Sequence, residues 1–402
     1  MRRRVLFLLP FPPQLRGRHG GSRAIAELLR ELAGRHCISV MYLREASEDP
    51  IDPEIAALCD VVCAINRPLG RGCLLLRLSR RVRRVRSLLA GVPIWAQAVE
   101  VPDFSEALRL FVEEWKPEVV QCEYLVMGQY LEALGACRAP RILVVHEPGE
   151  KSVGRASRAL SPVLMRLDRL AWRKFERRLL RQVQAVVVFT EEDRESIERH
   201  GVTVPVETIG IGLALPERAA DPSGVPPPTA VFVGNYDHRP NADAALRLLN
   251  GIWPSVSDSH PEAVLTLVGV NPPTELLAAA TVGVQVTGFV SDVEPFLESA
   301  AVFVAPLREG GGMRVKVLEA LAAGKAIVAS PLALAGLDVE DGRQLLVAQT
   351  DEDFVRAISR VFDDEALRRA LGESARMWAL VNLAVEKSAE KFERLYERIL
   401  RG

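Results

Sequence analysis

Ala305-Pro306-Leu307-Arg308-Glu309-Gly310-Gly311-Gly312-Met313-Arg314-Val315-Lys316-Val317-Leu318-Glu319-Ala320-Leu321-Ala322-Ala323-Gly324 reads as one strand–loop–helix unit. The apolar run 302–305 stops at Pro306, three glycines follow, and a stretch of good helix formers then runs to Gly324, a C-cap glycine. Glycine lets a backbone approach a ligand closely. The orphan N–H groups at a helix start attract phosphate. Arg314 and Lys316 add the positive charge that holds a diphosphate. The bland alternative is a flexible turn beside solvated basic residues. Three glycines, two cations and the downstream Glu319 on one unit favour the phosphate reading.

Outward from this unit, short β-branched runs alternate with helical patterns along the whole chain. Candidate strands in the first half are 5–9, 38–43, 61–65, 119–122, 142–145 and 186–189. Segments of 3.6-residue periodicity lie between them, such as Ala24-Ile25-Leu28-Leu29-Leu32 and Leu108-Phe111-Val112-Trp115. A break comes at 211–228, where Gly210, Gly212, Pro216, Pro222, Gly224 and Pro226-Pro227-Pro228 cannot form an element interior. A second series follows at 230–233, 265–268, 284–286, 302–305, 327–329 and 345–347. The alternation predicts an α/β fold of two Rossmann-like, doubly wound domains facing a central cleft. The expected boundaries are 1–210, 211–385, and a helix at 386–402 with the option of packing back on the N-terminal domain. Ligands of such sheets bind beyond the carboxyl ends of the strands.

A chain of 402 residues is too long for one core, since single cores stop growing at roughly 250–300 residues. Hydrophobic residues are 49% and charged residues 26%, which excludes a disordered chain. The net charge of −1 hides an asymmetry: 1–216 holds 33 Lys+Arg against 26 Asp+Glu, or +7, and the rest holds 18 against 26, or −8. The six cysteines (Cys37, Cys59, Cys63, Cys73, Cys122, Cys137) form no CxxC pair and have no His at zinc spacing, so free buried thiols in a reducing cytoplasm are expected. Met1-Arg2-Arg3-Arg4 before an apolar run imitates a secretory leader, but the run ends at Pro10 without a small-residue cleavage site and reads as a first buried strand. Stretch 317–337 is interrupted by Glu319, Lys325 and Pro331, so it reads as helix, turn and strand, not a membrane span.

With these residues in place the chain resembles the GT-B-fold glycosyltransferases of family 4 (glycosyl transferases group 1). It resembles especially the branch that reads G-x-x-R-x-K-x-L-E-A-x-A-x-G. Phe232-Val233-Gly234-Asn235-Tyr236-Asp237-His238-Arg239-Pro240-Asn241, Leu267-Val268-Gly269 and Thr287-Gly288-Phe289-Val290-Ser291-Asp292 carry the match in order, and it covers nearly the whole chain. The resemblance implies transfer of a sugar from a nucleotide-sugar donor to a saccharide, lipid-linked or small-molecule acceptor. It also implies retention at the anomeric carbon, with no bound metal and no cofactor beyond the donor substrate.

The resemblance also implies roles. Glu319 would accept hydrogen bonds from the nucleotide ribose. Arg314 and Lys316, with His146 beside the donor sugar, would be catalytic. Gly20, Gly21, Gly234, Arg239, Glu309, Gly310, Gly311, Gly312 and Met313 would bind the donor. The sequence departs from the family twice. The first Glu of the usual E-x7-E is replaced by Gly311, with Glu309 two residues earlier, and the Arg-x4-Lys phosphate pair is missing, leaving Arg239 nearby. Trp172-Arg173-Lys174-Phe175-Glu176 reads as packing and surface charge, and Asp351-Glu352-Asp353 as a helix N-terminus favoured by the dipole rather than a metal site.

From 66 to 89 there are eight arginines (Arg67, Arg71, Arg77, Arg80, Arg81, Arg83, Arg84, Arg86), no acid, and interleaved leucines and valines. Such a helix binds an anionic membrane surface or is a solvated face packed through its leucines. The absence of interleaved aromatics disfavours nucleic acid. The expected location is cytoplasmic, with peripheral attachment at the inner face of the membrane as the option this segment opens. No Gly-x-Ser-x-Gly, Walker loop or G-x-G-x-x-G is present, which weighs against hydrolase, NTPase and dehydrogenase readings. Two rivals stand beside the glycosyltransferase: a non-catalytic GT-B subunit binding a nucleotide-sugar or a partner enzyme, and another GT-B activity such as an NDP-sugar epimerase or a phosphorylase.

Overall fold

A run such as Val5-Leu6-Phe7-Leu8-Leu9 has no polar face to offer water, so it must lie in a sheet covered on both sides. In the computed structural model, which describes residues 2–17, 20–46, 48–67, 85–153, 161–199, 201–310 and 314–401, all five of these side chains are fully buried. They belong to β1 (Arg4–Leu9), an interior strand of the sheet in the first of two units. That unit comprises Met1–Leu15, Ser22–Ile211 and Ser388–Gly402; the second comprises Arg16–Gly21 and Gly212–Lys387.

The first sheet contains β1, β2 (Cys37–Arg44), β3 (Val61–Asn66), β4 (Val119–Glu123), β5 (Arg141–Val145), β6 (Ala185–Val188) and β7 (Val206–Thr208). Its order is β3-β2-β1-β4-β5-β6-β7 with every pairing parallel. Phe7 lies between Val40 on one side and Gln121 on the other. Six of these strands coincide with the sequence expectation. The seventh, β7, is a three-residue edge strand centred on Glu207, too short and too polar for periodicity to reveal.

The second sheet contains β8 (Thr229–Val233), β9 (Val264–Val268), β10 (Val284–Gly288), β11 (Val302–Ala305), β12 (Ile327–Ala329) and β13 (Leu346–Val347), in order β10-β9-β8-β11-β12-β13, again parallel throughout. Both sheets are thus doubly wound α/β, and each reverses its strand order once, between β1 and β4 and between β8 and β11. At such a reversal the two connections leave in opposite directions and open a crevice at the carboxyl ends.

One local expectation needs correction. Among the five described cysteines only Cys122 is buried; Cys37, Cys59, Cys63 and Cys137 are half-buried, because β3 is an edge strand and the others sit at element ends. Within the 66–89 arginine run, 68–84 lie outside the described residues. Arg67 forms ion pairs with Glu45 at 3.3 Å and Glu48 at 3.7 Å, and Leu88 packs in a buried cluster with Ile94 and Ala171. Asp351 does open a helix (Asp351–Asp363), capped reciprocally by Thr350 and Asp353.

Glycine is obligatory where β9 meets the reversal. Gly269 has φ +151, and a Cβ there would lie 1.7 Å from the Gly234 carbonyl oxygen. Gly342 is also left-handed, at φ +75, but has open space around it. Gly269→Ala should therefore cost at least about 2 kcal/mol and lower the thermal midpoint by several degrees, while Gly342→Ala costs about 1 kcal/mol. Equal midpoints for the two variants would show that backbone strain alone, not the clash, sets the cost.

Candidate active site

In the second unit the loops after β8 and β11 flank the strand-order reversal, and contacts between them build a cradle. Arg247, its side chain only 5% exposed, anchors one root. It donates from Nη1 to the Pro306 carbonyl at 3.1 Å, from Nη2 to the Gln349 carbonyl at 2.9 Å and from Nε to Asp351 at 2.6 Å, and lies over the Phe354 ring. Arg308 is turned to the surface, where it makes a two-pronged contact with Asp243. The backbone then reaches Gly310 at φ +114, where a Cβ would lie 3.1 Å from Pro240. Gly311, Gly312 and Met313 lie outside the described residues.

Beyond them Arg314, buried at the start of the helix Val315–Ala323, donates from Nη2 to the Gly310 carbonyl at 2.8 Å. Lys316, on the first turn, donates to Oδ1 of Asn241 and stands 4.9 Å from the centre of the Phe232 ring. Asn241 in turn donates to the Asn235 carbonyl at 2.8 Å and packs so close to Gly234 that a Cβ there would lie 2.9 Å away. Glu319 is half-buried on the same helix, and Gly324 caps it in the left-handed conformation at φ +73. Gly234, Gly310, Arg314 and Lys316 are therefore brought together.

Arg239 opens the helix that follows β8. Its side chain is 82% exposed and its Nε forms an ion pair with Glu309 at 2.9 Å, so these two candidates bind each other across the loops. Gly20 and Gly21 open the helix Gly20–Ala33, and residues Arg16–Gly21 group with the second unit. A Cβ on Gly20 would lie 2.8 Å from Val315 Cβ, so glycine is required for this approach to the first residue of the helix Val315–Ala323.

The first unit holds His146, at the carboxyl end of β5 and nearly buried. Its Nε2 lies 2.6 Å from Oε2 of Glu123, the last residue of β4. Tyr124 stacks on the imidazole with ring centres 3.7 Å apart and planes 6° apart, and Phe189 meets it edge-on at 4.8 Å. To place that ring Tyr124 adopts φ +68, a conformation that costs a residue with a side chain about 1–3 kcal/mol. Gln121 Nε2 donates to Glu123 Oε1 at 2.6 Å, and the Tyr396 hydroxyl donates to Gln121 Oε1.

The loop after His146 is clamped by a residue expected to be surface charge. Glu176 is 1% exposed, and its Oε1 accepts from the Gly149 N–H at 2.7 Å. Trp172 and Phe175 pack fully buried on the same helix, Pro162–Leu180, while Arg173 and Lys174 face outward. The signal for Glu176 is its spacing: four residues after Trp172, it shares the inward face.

Two family models match the chain. One, described as glycosyl transferases group 1, covers residues 227–364; the other, a glycosyl transferase 4-like domain, covers residues 19–212. The chain belongs to the group 1 glycosyltransferases. This glycosyltransferase chain is 28% identical over 301 residues to the lipopolysaccharide core biosynthesis mannosyltransferase LpcC of Rhizobium leguminosarum bv. viciae, covering 68% of this chain and 84% of that protein. Two further curated relatives are matched over less than half of their own length, with the chain spanning 31% and 41% of them. Among solved structures, sucrose-phosphate synthase from Thermosynechococcus elongatus superposes with a TM-score of 0.74 at 17% identity, over 99% of this chain and 100% of that one. The Anabaena protein Alr3699/HepE, solved with UDP and glucose, superposes with a TM-score of 0.66 at 11% identity, over 98% and 100%. These superpositions show the GT-B fold of this glycosyltransferase. Among the described residues no helix is long and apolar enough to cross a membrane.

Burial pushes the Glu176 carboxyl from 4.5 up to about 7. The native state thus holds this proton more tightly than the unfolded chain. The residue destabilises the fold progressively as pH rises from about 4.5 through about 7. Glu176→Gln keeps an oxygen for the Gly149 N–H and removes the charge. Its thermal midpoint should match wild type near pH 5 and exceed it by several degrees at pH 8. A midpoint difference independent of pH would overturn the assignment.

Proposed function

We propose that the protein moves a sugar from a nucleoside-diphosphate sugar to an acceptor hydroxyl, with retention and without a metal. The observation that carries this reading is the cradle in the second unit, where Gly310, Arg314 and Lys316 converge at the start of the helix Val315–Ala323, which carries Glu319 further along. Helix N–H groups and two cations are the means a protein has of stabilising a departing diphosphate when no Mg²⁺ supplies the charge. In the proposed step the C1–O bond to the diphosphate breaks as the acceptor oxygen bonds C1 on the same face. The acceptor proton passes to the leaving phosphate oxygen, so no separate protein base is needed. Glu319 accepts from the ribose hydroxyls, and His146 engages a donor-sugar hydroxyl. The UDP and glucose bound by the Anabaena protein and the mannosyltransferase name of the Rhizobium relative support a donor of this class.

Thermal-shift screening against UDP-, GDP-, ADP- and dTDP-sugars identifies the donor, since a ligand of the native state stabilises by RT ln(1 + [L]/Kd). Product analysis with and without acceptor then separates transfer from epimerisation, and a protein that binds a donor but turns none over would be a binding subunit. Arg314→Ala and Lys316→Ala should each lower kcat/KM by roughly tenfold to a thousandfold. Glu319→Ala should weaken nucleoside-diphosphate binding by about 1.5–3 kcal/mol in calorimetry, and wild-type affinity in that variant would remove the ribose contact.

We further propose an anionic membrane surface as partner of the 66–89 segment, each arginine there contributing on the order of 1 kcal/mol at low salt. The fourfold change of Arg80, Arg81, Arg83 and Arg84 to Gln should abolish co-sedimentation with anionic vesicles and leave donor binding intact. Equal co-sedimentation of variant and wild type would reduce the segment to a solvated face.

A further inference from the structure

We propose that Glu123, Gln121 and Tyr396 are positioning residues that fix which nitrogen of the His146 ring carries the proton. The inference rests on the reading of His146 given above, and the chain of contacts that carries it is wholly within the first unit. Tyr396 lies on the helix Val385–Arg401, 275 residues from Gln121 in the chain. Its hydroxyl donates to Gln121 Oε1, Gln121 Nε2 donates to Glu123 Oε1, and Glu123 Oε2 meets His146 Nε2. Gln121, Glu123 and Tyr396 are each no more than 1% exposed, so water does not substitute for any link.

The direction of the chain follows from donor and acceptor inventories. Gln121 turns its NH₂ to the Glu123 oxygen and therefore its own oxygen to Tyr396. That oxygen needs a donor, and the tyrosine supplies one. Burial, reinforced by the nearby charge of Glu123, holds the Tyr396 phenol well above its usual pKa, so it stays a donor. At the other end the carboxylate's second oxygen is left to accept from His146, which places a proton on Nε2 and leaves Nδ1 as the ring's acceptor. The stacked Tyr124 and edge-on Phe189 keep the ring from turning to exchange the two nitrogens.

The helix that brings Tyr396 is itself pinned one turn earlier. Glu393 takes Arg35 Nη1 at 2.7 Å and lies 3.1 Å from His36 Nε2, and the Tyr396 ring meets His36 edge-on at 6.0 Å. A polar knot needed only to fill the core would leave the imidazole tautomer unaffected, and this separates the two roles.

The test uses the full chain labelled with ¹⁵N-histidine, at a pH high enough that the imidazoles are neutral, with the His146 signals assigned by their loss in His146→Asn. Wild type is expected to show Nε2 protonated and Nδ1 bare. Glu123→Gln, whose amide offers either an oxygen or an NH₂, should give a mixture of tautomers and lower kcat by roughly ten- to a hundredfold with donor KM little changed. Tyr396→Phe should move both readouts the same way by less, and Arg398→Gln, on the exposed face of the same helix where it pairs with Glu207, should move neither. A wild-type His146 protonated on Nδ1, or unaltered ring signals in both Glu123→Gln and Tyr396→Phe, would overturn the proposal. Should no donor be turned over at all, the transferase reading fails while the ring signals still decide this one.

Discussion

The constraint on which the rest depends is the reversal of strand order in a sheet whose strands all run the same way. Parallel strands send every carboxyl end to one edge, and each sheet here reverses between its third and fourth positions. Connections that leave a reversal in opposite directions cannot cover it, so the edge opens there whatever the side chains are. The residues of interest are those forced to line that opening. In the second unit they are Gly234, Asn241, Gly310, Arg314 and Lys316. In the first they are Glu123, Tyr124 and His146, at the ends of β4 and β5.

The two units meet the same constraint by different physics. The second keeps its opening narrow with absent side chains: Gly269 and Gly234 bring two loop backbones together, and Gly310 passes over Pro240. Two charges there are tethered by hydrogen bonds across the loops, Arg314 to the Gly310 carbonyl and Lys316 to the Asn241 amide oxygen. The first unit does the reverse. It buries a carboxylate, surrounds it with donors, and accepts a strained Tyr124 backbone to keep an imidazole flat against a ring. One opening suits charge that arrives with a ligand, and the other suits a fixed orientation.

Much of this was legible in the residues. Strands such as 5–9 and 302–305 are apolar throughout because both faces are covered, and that shows without a structure. The strand–glycine–helix unit and its cap at Gly324 were equally plain. The hidden part consists of contacts between residues distant in sequence. That Arg239 closes on Glu309 is a matter of loop geometry, and no spacing rule joins positions 70 residues apart. Gln121 and Glu123 sit in a strand pattern where alternation makes them look outward-facing, whereas in a sheet covered on both sides there is no outward face. Glu176 was mistaken for surface charge because its neighbours Arg173 and Lys174 are surface charge, although its phase on the helix is that of Trp172.

The segment Ser388–Gly402 belongs to the first unit although Gly212–Lys387 of the second unit is threaded between. During vectorial synthesis at about 5–20 residues per second, the 275 residues separating Gln121 from Tyr396 take roughly 15–55 seconds to make. Once β7 has been made, the nascent first unit has all the strands of its sheet but still lacks the helix that carries Tyr396 to Gln121. The stretch Gly212–Lys387 of the second unit is made before Ser388–Gly402 completes the first. The hydrogen-bond chain that ends on the imidazole therefore cannot close until Gly212–Lys387 has been translated.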